Sequence, residues 1–128
     1  MTLEPQAYTI TRADLVAYAE ASGDHNPIHQ DDAVAESVGL PGVIAHGMYT
    51  MALAARAVST WFPGCEVASL GCKFTNPVVV PAEGGVDIEV AGEASEEDGL
   101  TTVRLTVTCE GQKVLGMPKA VVRAPAHD

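Results

Sequence analysis

Apolar and polar residues change rhythm once along this chain, near residue 65. Before that point the spacing is helical. Leu15, Tyr18 and Ala19 share one side of a helix running from Arg12 to Ala21. Thr11 is a good N-cap for it, and Asp14 three residues on completes a capping-box variant. A short extended stretch, Tyr8 to Ile10, leads in. The turn formers Ser22-Gly23-Asp24-His25-Asn26-Pro27 stop the helix. A short helix then starts at Asp31 or Asp32 and ends near Gly39, before the break Leu40-Pro41-Gly42. From Ala45 to about Thr60 apolar residues lie almost all round the helical wheel, with Arg56 as the one formal charge. That pattern predicts a long helix buried on most faces, ended by Trp61-Phe62-Pro63-Gly64.

Beyond it the period is two. Val103, Leu105, Val107 and Cys109 point one way, and Thr102, Arg104, Thr106 and Thr108 the other. Val86, Ile88 and Val90 alternate likewise, as do Ala68, Leu70, Cys72 and Phe74. Val114 to Val122 is a weaker strand in which Pro118 marks an edge or a bulge. Glu96-Glu97-Asp98-Gly99 and Glu110-Gly111 are hairpin turns, and about four strands joined by hairpins are expected after the long helix. A flat antiparallel sheet leaves such a helix exposed to water. The expected α+β fold is therefore an antiparallel sheet wrapped around one long buried helix, with the open sheet edge paired to another subunit.

Length and composition narrow this further. The 128 residues suit a single domain over 1–128, and 47% hydrophobic residues supply its core. Only 5% are aromatic, so Val, Ala, Leu and Ile do most of the packing. No apolar run approaches the length of a membrane span, and Met1 to Ile10 lacks the pattern of a secretory signal. Cys65, Cys72 and Cys109 are odd in number and form no CxxC pair, which points to a reducing cytoplasm rather than a disulfide scaffold or zinc site. The net charge of −10 repels nucleic acid and anionic membranes. It also repels an acidic carrier protein, unless the bases cluster or a partner subunit supplies more.

The residues that can carry chemistry sit in the break after the first helix. Asp24 and His29 lie five residues apart across a turn stiffened by Pro27, which also biases Asn26 to an extended shape. A carboxylate and an imidazole aimed at one water can take a proton from it and return one to a neighbouring carbon. Asn26 either ties the turn together or touches a substrate. Ala45-His46-Gly47-Met48 opens the long helix, where first-turn N–H groups lack intrahelical acceptors and face the positive dipole end. Gly47 lets a carbonyl approach its amide, as an oxyanion hole requires. His46 beside it serves as a cap or a supporting histidine. A metal set of His25, His29 and Asp31 fails, because Pro27 breaks the helix that would align the histidines. His25 is expected to be exposed and His127 to lie in a tail.

Ser22 to His29 together with Ala45 to Met48 resembles the MaoC-like family of (R)-specific enoyl-CoA hydratases and 3-hydroxyacyl-thioester dehydratases. Lys73-Phe74-Thr75-Asn76-Pro77-Val78 resembles that family's strand motif of a basic residue, Phe and then Pro-Val. Gly39-Leu40, Ala45 to Met48 and Thr50-Met51 are similar to the branch that supplies the catalytic B subunit of the (3R)-hydroxyacyl-ACP dehydratase of mycolic-acid synthesis. The resemblance covers about Tyr8 to Val122. It implies a hot-dog fold, usually dimeric, and no cofactor or metal. It implies Asp24 and His29 as the catalytic pair, Asn26 in support, and the Gly47 amide as oxyanion donor. The substrate it implies is an acyl thioester of CoA or of acyl carrier protein, with a related hot-dog subunit as partner in a homodimer or heterodimer. Two positions depart from the pattern. Ala55 stands where some members have a serine near the catalytic Asp, and Pro81-Ala82-Glu83-Gly84-Gly85 replaces a Pro-Gly-Asp turn. Two rival classes share the fold: an acyl thioesterase, and a non-catalytic acyl-binding subunit. The Gly-Asp-x-Asn-Pro-x-His spacing argues against the first and the presence of both catalytic residues against the second.

Overall fold

The computed structural model describes residues 1–124, so His127 lies outside the described residues. Strand β1 (Thr2–Thr11) is longer than the lead-in expected from sequence and hydrogen-bonds to β3 (Gly85–Glu97) along most of its length. Helix α1 (Arg12–Ser22) starts on a complete capping box. The Thr11 hydroxyl accepts the Asp14 N–H at 3.3 Å, and the Asp14 carboxylate accepts the Thr11 N–H at 2.8 Å. Gly23, with φ of +78°, ends the helix in the left-handed conformation that frees the next residues to turn away. Helix α2 (Asp32–Ser37) is capped by the Asp31 side chain on the amides of Ala33 and Val34. Helix α3 (Gly47–Trp61) follows, then β2 (Glu66–Phe74), β3, β4 (Leu100–Cys109), the two-residue β5 (Gln112–Lys113) and β6 (Leu115–Arg123).

Every strand pairing is antiparallel, and the sheet order is β1-β3-β4-β6-β2 with β5 attached to β4. Both expected hairpin turns form as two-residue loops with positive φ at both positions: Asp98 (+54°) and Gly99 (+78°), Glu110 (+51°) and Gly111 (+80°). One expectation needs correction. β2 is not joined to β3 by a hairpin. It pairs with β6, and residues 75–84 carry the chain to the other part of the sheet. Of the two readings open for Pro118, an edge or a bulge, the bulge is the one observed, since β6 pairs with both β4 and β2. Pro118 is tolerated there because it sits in a register shift against β2, beside Met117 at φ +49°, and beyond the last β4 pair at Arg104 and Lys119. Register shifts in β2 also reset its alternation. Val67, Leu70 and Cys72 turn toward the core, whereas Ala68 and Phe74 are exposed.

α3 touches β1, β2, β3, β4 and β6, so the sheet curls around it. Its buried side is Thr50, Leu53, Ala54, Ala57 and Val58. The other side is uncovered: Met48, Ala52 and Ser59 are exposed, and Met51 and Ala55 half-buried. The apolar wheel read from sequence is thus only half enclosed by this chain. Ile10, Leu15, Val43, Val80, Ile88, Val90, Val103 and Val107 fill the space between helices and sheet with no exposed surface. No helix of the described residues is long and apolar enough to cross a membrane.

Candidate active site

The segment between α1 and α2 is a run of side-chain-to-backbone turns. The Ser22 hydroxyl accepts the Asp24 N–H, the Asp24 carboxylate accepts the Asn26 N–H, and the Asn26 side-chain oxygen accepts the Ile28 N–H, each at 3.2 Å. Pro27 opens a single 3₁₀ turn, Pro27–His29, for which Asn26 is the cap. Of the two roles expected for Asn26, the structure shows the turn-binding one. The chain thereby turns the His29 ring inward while Asp24 stays exposed.

His29 is held in one tautomer. Its Nδ1 lies 2.7 Å from the carbonyl of Ile44, and a carbonyl only accepts, so Nδ1 carries a proton and, in the neutral ring, Nε2 presents the lone pair. The His46 ring stacks on His29, with centroids 3.8 Å apart and planes 24° from parallel. Its Nε2 donates to the Asp24 carbonyl at 3.2 Å. Nδ1 of His46 is then the unprotonated nitrogen, and it is buried without a partner. Burial pushes the His46 pKa below that of a free histidine, against the pull of the Asp24 carbonyl, and the facing His29 lowers it further. Tyr18 on α1 meets the His46 ring edge-on at 4.7 Å and closes the stack from the other side. His46 therefore links the two halves of the Asp24–His29 pair.

His46 is also the residue before the first turn of α3, but its side chain caps nothing. A Ser, Thr, Asp or Asn there would occupy the first amides. Instead the amides of Gly47 and Met48 have no hydrogen-bond acceptor among the described residues. They open on a cleft of about 500 Å³ shared by Asp24, His29, Ile44, Met48, Phe74 and Leu115. The missing Cβ of Gly47 faces the Phe74 ring, whose atoms would lie 3.0–3.1 Å from it. A side chain at this position would first meet an aromatic neighbour, which would have to give way. The sequence reading placed a substrate oxygen on that side.

Sequence reasoning missed Phe74, Tyr18 and Thr50 as lining residues. Phe74 was quoted within a motif but given no role, and Tyr18 was placed only on the inner face of α1. His25 is exposed, and Asp31 is spent as the cap of α2, so the rejected metal set does not assemble. Asp24, His29 and His46 do bring one donor atom each within 4.8 Å of one another. The two rings lie nearly parallel, and His46 Nε2 is already engaged, so their lone pairs do not converge on one point. The group is better arranged to move protons. Ala55, where some members of the family have a serine, is half-buried on α3, and the Asp24 carboxylate accepts instead from the Asn26 amide.

Known proteins bear on this geometry. The MaoC like domain model matches residues 1–114. The chain is 40% identical over 77 residues to 3-hydroxyacyl-thioester dehydratase X of Mycobacterium tuberculosis, covering 60% of this chain and 27% of that protein. It thus spans only about a quarter of that relative. It is 34% identical over 122 residues to 3-hydroxybutyryl-CoA dehydratase of Methylorubrum extorquens, covering 93% of this chain and 76% of that one. Its backbone superposes on a solved MaoC-like dehydratase with a TM-score of 0.91 at 38% identity, covering 98% of this chain and 40% of the other. The curled sheet around α3 is therefore a hot-dog fold, and the chain belongs to the MaoC-like dehydratase family.

Proposed function

We propose that this chain catalyses the reversible hydration of trans-2-enoyl thioesters and, in reverse, the dehydration of (R)-3-hydroxyacyl thioesters. The observation that carries the proposal is the His29 tautomer. An imidazole with its Nδ1 tied to a carbonyl, a carboxylate within 4.8 Å of it, and two unclaimed amides at a helix N-terminus lining the same cleft are the equipment the reaction needs. A water between Asp24 and His29 gives a proton to the pair as its oxygen bonds to C3. The electrons of the double bond move onto the thioester oxygen, which the Gly47 amide stabilises. The enolate collapses, and C2 takes a proton back from the same pair. Both additions occur on the face that holds the pair, so the addition is syn. The family's product is the (R) alcohol. No redox or electrophilic cofactor enters the balance. Asn26 acts by fixing the turn, and His46 by joining Asp24 to His29. The three free thiols suit a reducing compartment.

One side of α3 is uncovered, and β2, which α3 contacts, has an outer edge with no strand partner among the described residues. A second hot-dog subunit, identical or related, covers both in this reading. The native mass of the purified chain, alone and with candidate partners, tests that part.

The carrier dock follows from the few bases. Arg12 pairs with Asp32, Arg123 with Glu66, and Arg56 lies over the Tyr8 ring. Of the other four, Arg104 and Lys119 face each other across β4 and β6, while Lys73 and Lys113 each precede a residue that lines the cleft, Phe74 and Val114, and the Lys113 carbonyl accepts from Thr75 and Asn76. Lys73 and Lys113 are placed to meet the phosphates of CoA or of an acyl carrier's prosthetic arm. On crotonyl-CoA, hydration removes the conjugated enoyl absorbance and releases no thiol. Released thiol would instead make the protein a thioesterase. In the same assay the Michaelis constant should climb with ionic strength, because exposed charges are screened within about 10 Å at 0.1 M salt. Lys73→Ala and Lys113→Ala should flatten that dependence. A constant insensitive to salt and to both substitutions would assign the dock to a partner subunit.

A further inference from the structure

Between Asp32 and the site runs a second network that the hydratase chemistry does not use directly. Arg12, the first residue of α1, donates from Nε to the Val80 carbonyl at 2.8 Å and from its terminal nitrogen to both oxygens of Asp32, at 2.9 and 3.1 Å. Asp32, at the start of α2, in turn accepts the Val43 N–H at 2.9 Å. Val43 and Val80 belong to a small antiparallel bridge. The Val80 N–H donates to Val43, the Ala45 N–H donates to Val78, and Ile44 faces Val79. The ion pair therefore grips both sides of this bridge, one through a carbonyl and the other through an amide. Ile44, at its centre, is the residue whose carbonyl fixes the His29 tautomer. Three residues later α3 begins with Gly47. Gly42 leaves room for the grip, since a Cβ there would stand 3.2 Å from the Asp32 oxygen.

We infer that Arg12 and Asp32 are positioning residues which, by locking the 43–45 bridge, hold the Ile44 carbonyl on His29 Nδ1 and so keep Nε2 unprotonated toward the cleft. The kinetic arm of this inference rests on the hydratase reading; its structural arm does not. The pair is poorly placed to matter mainly for folding, because its side chains are 25% and 47% exposed and water screens the attraction. The Val43 amide first, and the Arg12 guanidinium second, hold the Asp32 carboxyl below the usual carboxylate range, so it is ionised wherever the enzyme works. A shift of the carbonyl by about 1 Å is enough to lose on the order of 10²-fold in rate at a site of this kind.

The test reads His29 directly. Nitrogen-15 spectra of the ring distinguish the two tautomers, and a hydrogen-bonded Nδ1–H exchanges slowly enough to be seen as a downfield proton. In the wild-type chain the Nδ1–H form should dominate. Asp32→Ala should mix the tautomers, abolish that proton, and lower kcat by roughly 10- to 100-fold with KM within about twofold. Asp32→Asn keeps an acceptor for Val43 and should restore the tautomer and most of kcat. Arg12→Gln loosens both sides of the bridge and should fall between. It carries the test if Asp32→Ala does not fold. Glu66→Gln, which breaks only the surface pair with Arg123, should change neither readout. A folded Asp32→Ala or Arg12→Gln protein with wild-type tautomer and kcat overturns the inference. Should the wild-type chain fail to hydrate any enoyl thioester, the functional reading falls alone, and the tautomer spectra still decide the clamp.

Discussion

Replacing Asp24 with Asn should lower enoyl-thioester hydration by two to four powers of ten, the range in which positioned acid–base groups act, and leave the fold intact. The side chain is exposed, and its one recorded bond is the acceptance of the Asn26 N–H at 3.2 Å. An asparagine oxygen accepts that bond equally well. The Asp24 carbonyl that receives His46 Nε2 belongs to the backbone and is untouched. What disappears is the negative charge and the proton-accepting capacity next to His29 Nε2. His29→Gln should cost as much in rate but more in stability, because His29 is buried at 7% exposure, bonded to Ile44 and stacked on His46. The comparison is therefore informative. Circular dichroism and a melting curve should show Asp24→Asn close to wild type and His29→Gln lower, with both nearly inactive on crotonyl-CoA. Near-full activity in either folded variant would remove the pair from the mechanism.

The half of the fold with local signals was readable from residues alone. Thr11 and Asp14 announce their capping box, Gly23 its helix end, and the Asp98-Gly99 and Glu110-Gly111 dipeptides their turns, because each depends on neighbours in the chain. Strand order does not. Nothing within residues 66–74 says that β2 pairs with β6 rather than β3, since period-two alternation is the same beside any partner. For a related reason the sequence left Pro118 open between an edge and a bulge. A proline is barred from a central strand only where its N–H is needed, and a bulge removes that need. The pair Asp24 and His29 was legible because one short rigid turn presents both. His46 was assigned only a supporting part, since its stacking on His29 joins positions 17 apart and has no local signature. The Arg12–Asp32–Val43–Val80 network was invisible for the same reason. The half-open side of α3 shows a further limit. An apolar wheel does not say which of its faces its own chain encloses.

Gly47→Val should cost at least about 10²-fold in kcat/KM, the scale of a 1 Å misplacement at a reacting centre, while lowering thermal stability only modestly. The added Cβ would lie 3.0 Å from two atoms of the Phe74 ring, too close to stay. Phe74 is 57% exposed, so the ring can swing toward solvent at little energetic cost to the core. Because Phe74, Gly47 and Met48 all line the cleft, displacing the ring and adding the valine methyls both reshape its wall. The helix itself tolerates valine in its first turn, and the Gly47 N–H survives, so a loss of turnover reports altered access and geometry. Gly47→Ala should be milder, because a single methyl asks the ring to yield only a few tenths of an ångström. The double variant Gly47→Val with Phe74→Ala separates two causes. Removing the ring should recover the melting temperature in either case. If turnover also returned, the defect would be crowding by Phe74, and the Gly47 amide would have no special part in catalysis. If the protein regained stability and stayed slow, the valine itself would be obstructing the approach of the thioester oxygen to the α3 amides, as an oxyanion hole at Gly47 requires.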